Sequence, residues 1–156
     1  MWLSNDLFRS VVASTPLISI DLVVRNAQGE CLLGQRLNRP AKGNWFVPGG
    51  RILKNETLDT AFNRLTLKEL GRAYQRDDAR LLGVYEHFYT DSVFGDTEQA
   101  PDTHYVVLGY QLILPEGEAL PLPHAQHEAY RWWPLSEMQT HELVHANTRA
   151  YLAALR

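Results

Sequence analysis

The 156-residue sequence has one cysteine, no excess of basic over acidic residues and no long apolar run. Cys31 is the only cysteine, which excludes an internal disulfide and a thiolate cluster around zinc or iron–sulfur. With 15 Lys and Arg against 18 Asp and Glu, the net charge is −3, so the chain lacks the basic surplus that nucleic-acid phosphates require. No apolar stretch approaches the roughly 18 residues of a membrane span. We therefore expect neither nucleic acid nor membrane as a partner.

The composition is that of a globular chain, with 45% apolar and 21% charged residues. No repeat, low-complexity tract or linker-like segment divides the sequence, and we predict one domain over residues 1–156. Asp6 and Arg9 interrupt the N-terminal segment before a signal-like apolar run can form. Together with the single free thiol, this predicts a cytoplasmic protein.

Hydrophobic periodicity and turn residues predict the order of the elements. Helices are expected at 5–13, from a cap at Asn55 or Thr57 to Gly71, and at 146–155. Strands are expected at 17–25, 31–37, 45–47, 81–89, 105–114 and near 129–133. A loop of Pro48, Gly49 and Gly50 is expected to end the third strand. This order indicates an α+β arrangement with helices packed on a mixed sheet.

The segment from Gly49 to Gly71 carries most of the information about function. Two adjacent glycines permit a sharp turn and a close approach of the backbone to a ligand. Spacings of three and four residues are expected to place Leu65, Lys68 and Glu69 on one helix face. Glu69 lies near the C-terminus of the helix, where the helix dipole does not stabilise an acidic side chain. Judged from the helix alone, Glu69 is therefore interpreted as a solvated glutamate, and a functional glutamate is the alternative.

This segment resembles the Nudix box at five spaced positions, Gly50, Glu56, Arg64, Glu69 and Gly71. The box normally reads Arg-Glu, an apolar residue, any residue, then Glu-Glu and a spaced Gly. Here Leu65 and Lys68 replace two of its glutamates, and only Glu69 remains of the three acidic ligands. One carboxylate beside a lysine cannot gather several hard cations. The site is therefore either inactive, or it holds one metal and performs a different reaction.

The wider sequence resembles the GDP-mannose mannosyl hydrolases, a variant subfamily of the Nudix hydrolases with this same defect. The matching segments run from about Phe8 to Tyr151 and include TPLISIDLVVRNAQGECLLGQRLNRPAKGNWFVPGGR, EHFYTD, THYVVLGYQL and VHANTRAYL. The resemblance implies an α/β/α sandwich around a mixed central sheet and a homodimer. It also implies hydrolysis of GDP-mannose, with GDP-glucose as a second substrate, to GDP and the free sugar.

The resemblance implies one Mg²⁺ per subunit, with Mn²⁺ as a substitute ion, held by the Gly49 carbonyl, Glu69 and Gln126. Diphosphate oxygens and water would complete this all-oxygen shell, which suits a hard cation. His127 is implied as the general base, because an imidazole that titrates near neutrality takes a proton from water, and His87 is the second candidate. Since adjacent strand residues point to opposite faces, Gln126 and His127 serve one site only on irregular backbone.

Five more residues are implied at the substrate. Arg36 would stabilise the departing diphosphate, and Arg51 would contact phosphate or sugar, because a guanidinium pairs with two phosphate oxygens at once. Asp21 lies mid-strand among apolar residues, where an unpaired carboxylate is costly. The family places Asp21 at the sugar, and a structural salt link is the alternative. Tyr105 is a candidate for a phosphate or sugar contact, and Phe8 for holding the guanine across a dimer or for core packing.

Attack of water at the anomeric carbon accounts for the missing glutamates. A nucleoside diphosphate is a good leaving group, so one cation and Arg36 suffice to neutralise its charge, and a single base then gives inversion. Two other functions stay open: a pyrophosphatase that attacks phosphorus, and an inactive domain that senses nucleotide sugars. We interpret Glu56 and Arg64 as structural, tying the loop to the helix.

Overall fold

The computed structural model describes residues 2–123 and 127–155. The strands in these ranges are β1 (Leu17–Arg25), β2 (Cys31–Arg36), β3 (Trp45–Phe46), β4 (Gly49–Arg51), β5 (Arg80–Tyr89), β6 (Thr103–Ile113) and β7 (His127–Trp133). The α-helices are α1 (Asn5–Ser14), α2 (Leu58–Leu70), α3 (Leu135–Thr140) and α4 (Ala146–Arg149), and short 3₁₀ turns span Arg76–Asp78 and Leu152–Ala154. No helix in the described ranges is long and apolar enough to cross a membrane.

The strands form one mixed sheet with β1 at its centre. Strand β1 runs parallel to β6 along its whole length and antiparallel to β4. It meets β2 at Arg25, opposite Cys31; beyond this pair, β2 continues with β3 and β7 as its neighbours. The segment 45–52 crosses from β2 to β1, since β3 pairs with β2 and β4 pairs with β1. A cleft opens at this divergence.

Apolar side chains cover both faces of the sheet and make it the middle of three layers. On β1, Leu22 and Val24 pack toward Phe62 of α2, whereas Val23 packs toward the layer that contains Met138 of α3. This alternation follows from the two-residue period of a strand. The α/β/α sandwich with a mixed central sheet is therefore confirmed. Trp45 and Trp133 pack edge-to-face with ring centroids 5.4 Å apart, as expected of core aromatics.

Helix α2 begins and ends as its sequence predicts, but the prediction for its faces is wrong at one residue. The Thr57 hydroxyl accepts a hydrogen bond from the Thr60 amide at 3.1 Å, and Gly71 ends the helix with φ of 78°. Leu65 and Glu69 are buried one turn apart, whereas Lys68 is exposed, with its ammonium 5.3 Å from the Trp2 ring centre. A step of three residues rotates Lys68 away from the buried face, which is centred near Glu69.

Two predictions of local structure are wrong. Gly49 and Gly50 form strand β4 rather than a loop, because their backbone pairs with Asp21 and Ile20 of β1. The single helix predicted over 146–155 is a four-residue α4 followed by a 3₁₀ turn. Helix α3 was not predicted, since six residues give fewer than two turns and too little periodicity to recognise.

Candidate functional site

A cleft opens where β1 and β2 diverge. Its walls combine backbone of the double-glycine strand with charged and aromatic side chains: Ser19, Asp21, Arg36, Pro40, Phe46, Val47, Gly49, Gly50, Arg51, His87, Tyr89 and Tyr105. The structure thus brings together six of the residues predicted for the site, Asp21, Arg36, Gly49, Arg51, His87 and Tyr105. These six come from five different strands.

Asp21 lies at the centre of the sheet, directly opposite Gly49. The Tyr151 hydroxyl donates a hydrogen bond to Asp21 Oδ2 at 2.6 Å. Its hydrogen-bond partner is thus a neutral phenol rather than the cation of the salt-link alternative. Burial raises the pKa of Asp21 to about 7, against the opposing effects of the Tyr151 hydrogen bond and the Arg36 charge. The charge of Glu69 adds to the increase.

The two glycines allow β4 to lie between β1 and α2. A Cβ atom on Gly49 would lie 2.5 Å from Asp21 Oδ1 and 2.5 Å from the carbonyl oxygen of Ile20. A Cβ atom on Gly50 would lie 2.5 Å from Leu65 Cδ2. All three distances are well inside van der Waals contact. A side chain at position 49 would displace the backbone of β1, and one at position 50 would displace the Leu65 side chain.

Backbone pairing turns the Gly49 carbonyl away from β1. The Leu22 amide donates to the Pro48 carbonyl, and the Ile52 amide donates to the Ile18 carbonyl, both at 2.8 Å. Because hydrogen-bonded and non-hydrogen-bonded pairs alternate in an antiparallel ladder, the carbonyls of Gly49 and Arg51 point away from β1. The Arg51 carbonyl accepts a hydrogen bond from Arg64 Nη2 of α2 at 2.9 Å. The Gly49 carbonyl therefore points away from β1, to the same side as the Arg51 carbonyl.

Glu56 and Arg64 have the structural role predicted for them. Arg64 Nε donates to Glu56 Oε2 at 2.7 Å, and Arg64 Nη2 donates to Glu56 Oε1 at 2.8 Å. The Leu53 amide also donates to Glu56 at 2.7 Å. The hydrogen bond from Arg64 holds the pKa of Glu56 below its ordinary value, and the Leu53 amide adds to that effect. This bidentate pair fastens the loop after β4 to the first half of α2.

Glu69 is a buried side chain, only 3% exposed. A solvated glutamate is therefore excluded. The charge of Glu69 acts on two neighbouring groups: after burial, it is a further cause of the raised pKa values of Asp21 and Tyr130, the latter about 12. The carboxylate thus belongs to the region between the central strand and β7.

The described residues fit one hard cation better than several. Within 2–123 and 127–155, no group of three or more His, Cys, Asp and Glu side chains is arranged to hold a metal. The donors on hand are oxygens, the Glu69 carboxylate and the Gly49 carbonyl, which are the ligands that Mg²⁺ prefers. Gln126, the third predicted ligand, lies outside the described residues. Such a small donor set suits an ion that takes its remaining ligands from substrate and water.

His87 is a buried, neutral imidazole at the cleft. Its side chain is 5% exposed, and its Nε2 atom has no hydrogen-bond partner among the described residues. Burial lowers the pKa of His87 to about 4, with the nearby His145 contributing. A ring with so low a pKa is a weak base at neutral pH, but it can donate or accept a hydrogen bond to a substrate hydroxyl.

His127, the predicted base, is described only in its backbone. It is the first residue of β7 and lies opposite Arg36, where the pairing of β2 and β7 shifts register between Gly34 and Arg36. The backbone of residue 127 is therefore next to a strand position that lines the cleft.

The two predicted arginines enter the cleft from different strands. The Arg36 guanidinium carbon lies 5.7 Å from the centre of the Phe46 ring, and its Nε donates to the Asn38 carbonyl at 3.2 Å. The Arg51 guanidinium carbon lies 4.3 Å from the centre of the Phe8 ring. Phe8 thus supports Arg51 from α1 and is not one of the residues that line the cleft.

Sequence reasoning missed the aromatic side of the site. Tyr89 and Phe46 line the cleft, and the Phe46 ring stacks on His145 with centroids 4.7 Å apart. Burial raises the pKa of Tyr89 to about 12. These contacts join residues about 60 to 130 positions apart, as between Asp21 and Tyr151, and no local pattern announces them.

Comparisons with known proteins agree with this architecture. The model of the NUDIX domain matches residues 15–155. The chain is 36% identical over 152 residues to the low-salt glycan biosynthesis protein Agl8 of Haloferax volcanii, covering 97% of this chain and 89% of that protein. A MutT NUDIX hydrolase from Burkholderia pseudomallei superimposes with a TM-score of 0.70 at 26% identity, covering 92% of this chain and 100% of that one. The MutT protein of Methanosarcina mazei Go1 shares the fold with a TM-score of 0.70 at 21% identity, covering 90% of this chain and 93% of that one. The chain belongs to the NUDIX domain family and is a Nudix hydrolase.

Proposed function

We propose that this Nudix hydrolase cleaves GDP-mannose, with GDP-glucose as a second substrate, between the anomeric carbon and the diphosphate. The products are GDP and the free sugar with inverted configuration. The proposal rests on the side chains of helix α2, which carries the second half of the Nudix box. Glu69 is the one buried carboxylate of this helix, Leu65 is packed into the core, and Lys68 is exposed.

This helix is poorly equipped for attack at phosphorus. Nudix enzymes that attack phosphorus gather several cations, which also activate the water. Leu65 offers no ligand, and the Lys68 ammonium lies against Trp2 rather than in the cleft. Attack at carbon requires fewer cations, because the diphosphate leaves readily once its developing charge is neutralised.

Three groups of residues take part in this reaction. Arg36 and Arg51 bind the diphosphate, since each guanidinium presents paired donors to phosphate oxygens. Glu69, the Gly49 carbonyl and Gln126 would hold one Mg²⁺, whose charge would further stabilise the leaving group. Asp21 and neutral His87 contact sugar hydroxyls, and Tyr105 completes that wall of the cleft.

His127 is the general base in this proposal. A base on the face of the sugar opposite the diphosphate removes the proton from water as the water attacks the anomeric carbon, which inverts that carbon. The support is the position of residue 127 opposite Arg36 and the low pKa of His87, which makes His87 the poorer base. No general acid is needed, because the diphosphate departs without a proton.

The relative in Haloferax volcanii carries a name that refers to glycan biosynthesis. Glycan assembly uses sugars activated as nucleoside diphosphates, so this name is in line with a nucleotide-sugar substrate for the present chain.

Separating the products by ion-exchange chromatography tests the proposal. Incubation with GDP-mannose and Mg²⁺ is expected to give GDP and mannose, and proton NMR of the first-formed mannose should show the inverted anomer. GMP with mannose 1-phosphate would identify a pyrophosphatase instead. Tight binding of GDP-mannose without turnover would identify a sensor domain.

A further inference from the structure

We propose that Tyr151 is a positioning residue for the reaction, whose hydroxyl fixes the Asp21 carboxylate in the orientation that meets the sugar. The inference rests on the proposed function in one respect, that Asp21 contacts substrate. The pairing itself is a property of the free protein.

Both oxygens of the Asp21 carboxylate are constrained. Oδ2 accepts the Tyr151 hydroxyl at 2.6 Å, a length typical of short hydrogen bonds to a carboxylate. Oδ1 lies over the backbone of Gly49, so close that a Cβ atom there would come within 2.5 Å of it. With one oxygen bonded and the other against β4, the carboxylate has little freedom to rotate.

Tyr151 is itself held in place. Its side chain is 1% exposed, and its Cε1 atom lies 2.7 Å from the position that a Cβ atom on Gly109 would occupy. The Tyr85 ring meets it edge-on with centroids 4.5 Å apart. The absence of a side chain at Gly109 of β6 thus leaves space for the Tyr151 ring, and the Tyr85 ring of β5 packs against its other side. The phenol is a rigid support beneath Asp21.

Because the Tyr151 hydroxyl binds Asp21, the nearby Arg36 guanidinium stays available to the substrate. The charged and titratable groups that act on or respond to Asp21 are Arg36 of β2, Glu69 of α2, Tyr89 of β5, Tyr105 of β6 and Tyr151. Because the hydrogen bond comes from a tyrosine, Asp21 is held without engaging the Arg36 guanidinium. That guanidinium then faces the diphosphate with its charge uncompensated by a direct bond to Asp21.

A double-mutant cycle tests the inference. Tyr151→Phe removes one hydroxyl and is expected to lower kcat for GDP-mannose by roughly tenfold or more with little change in KM, because positioning acts on the transition state. Tyr85→Phe, the same change in the neighbouring ring, should leave kcat near that of the parent. In an Asp21→Ala background, Tyr151→Phe should cause no further loss, since the hydroxyl acts through Asp21. Independent losses, or an unchanged kcat in Tyr151→Phe, would overturn the inference.

A measurement without substrate keeps this test separate from the proposed function and from any failure of a variant to fold. Proton NMR of the parent protein should show a downfield, slowly exchanging hydroxyl proton with nuclear Overhauser contacts to the Tyr151 ring. Its absence would contradict the pairing. The hydroxyl resonance and the coupling between Tyr151 and Asp21 could both be observed while the products are GMP and a sugar phosphate. In that case the positioning role of Tyr151 is supported and only the proposed reaction is wrong.

Discussion

Gly50 of β4 and Leu65 of α2 are packed so closely that a methyl group on the glycine would lie 2.5 Å from Leu65 Cδ2. Leu65 occupies the position at which the Nudix box carries a glutamate, and it is 1% exposed. An apolar contact between strand and helix thus stands where other members of the family have a metal ligand. The same contact limits how far strand β4 and helix α2 can move relative to each other.

Gly50→Ala is expected to destabilise the protein by about 1–3 kcal/mol, because the added methyl group overpacks the strand–helix contact. The free energy of urea-induced unfolding measures this effect. In Leu65→Ala, which removes the opposing methyl groups, the same glycine substitution should cost much less. Equal costs in the two backgrounds would show that Leu65 is not the group that limits the space.

Glu69→Gln is expected to reduce turnover by on the order of a hundredfold, because the neutral amide weakens the hold on the cation. Titration with Mg²⁺ should show that much more of the ion is needed for half-maximal activity. Lys68→Gln is the matched control, since Lys68 is the adjacent box residue but is exposed and does not line the cleft. A similar loss in both variants would remove Glu69 from its assigned role.

His87 makes stability depend on pH. Its pKa is about 4 in the folded protein and about 6.5 when unfolded, so the unfolded chain binds more protons between these values. The contribution is complete above pH 6.5 and is lost as the pH falls toward 4. At about 1.4 kcal/mol for each unit of pKa, the difference between 6.5 and 4 gives an upper bound of about 3.5 kcal/mol, which solvent screening of the ring lowers.

Because other groups titrate in the same range, the quantity to measure is the difference in unfolding free energy between the parent and His87→Gln. As the pH is lowered from 7 to 4, we expect the free energy of unfolding of the parent to fall more than that of the variant. A difference that does not vary with pH would mean that the ring is not buried in its neutral form.

His127→Gln is expected to lower kcat by about a hundredfold or more with unchanged Mg²⁺ dependence, since a general base contributes roughly 10²- to 10⁴-fold. Rate measurements across the pH range should lose the ascending limb that reports the base. His87→Gln should keep that limb. If the limb instead disappears with His87, the assignment of the base is reversed.

Local signals in the sequence were sufficient for much of the fold. The β-branched run 17–25 gave both ends of β1, and Thr57 and Gly71 marked α2, because strand periodicity and helix caps depend on neighbouring residues. Strand β4 was missed because two glycines locally favour a turn, and only pairing with β1 makes them a strand. Lys68 was assigned to the wrong face, since periodicity alone does not say where the buried face is centred.

The candidate site was predictable to the extent that the family resemblance covers it. Asp21, Arg36 and His87 were predicted from it, and they line the cleft. Tyr151 was not, because its link to Asp21 joins residues 130 positions apart and needs the close approach of Gly109. Long-range contacts of this kind depend on the packing of the whole sheet.

Hydrolysis of GDP-mannose in water enriched in oxygen-18, followed by mass spectrometry of the products, tests the central claim most directly. Attack at the anomeric carbon places the label in the free mannose and none in the GDP. Label in a phosphate group would show attack at phosphorus and would contradict the account.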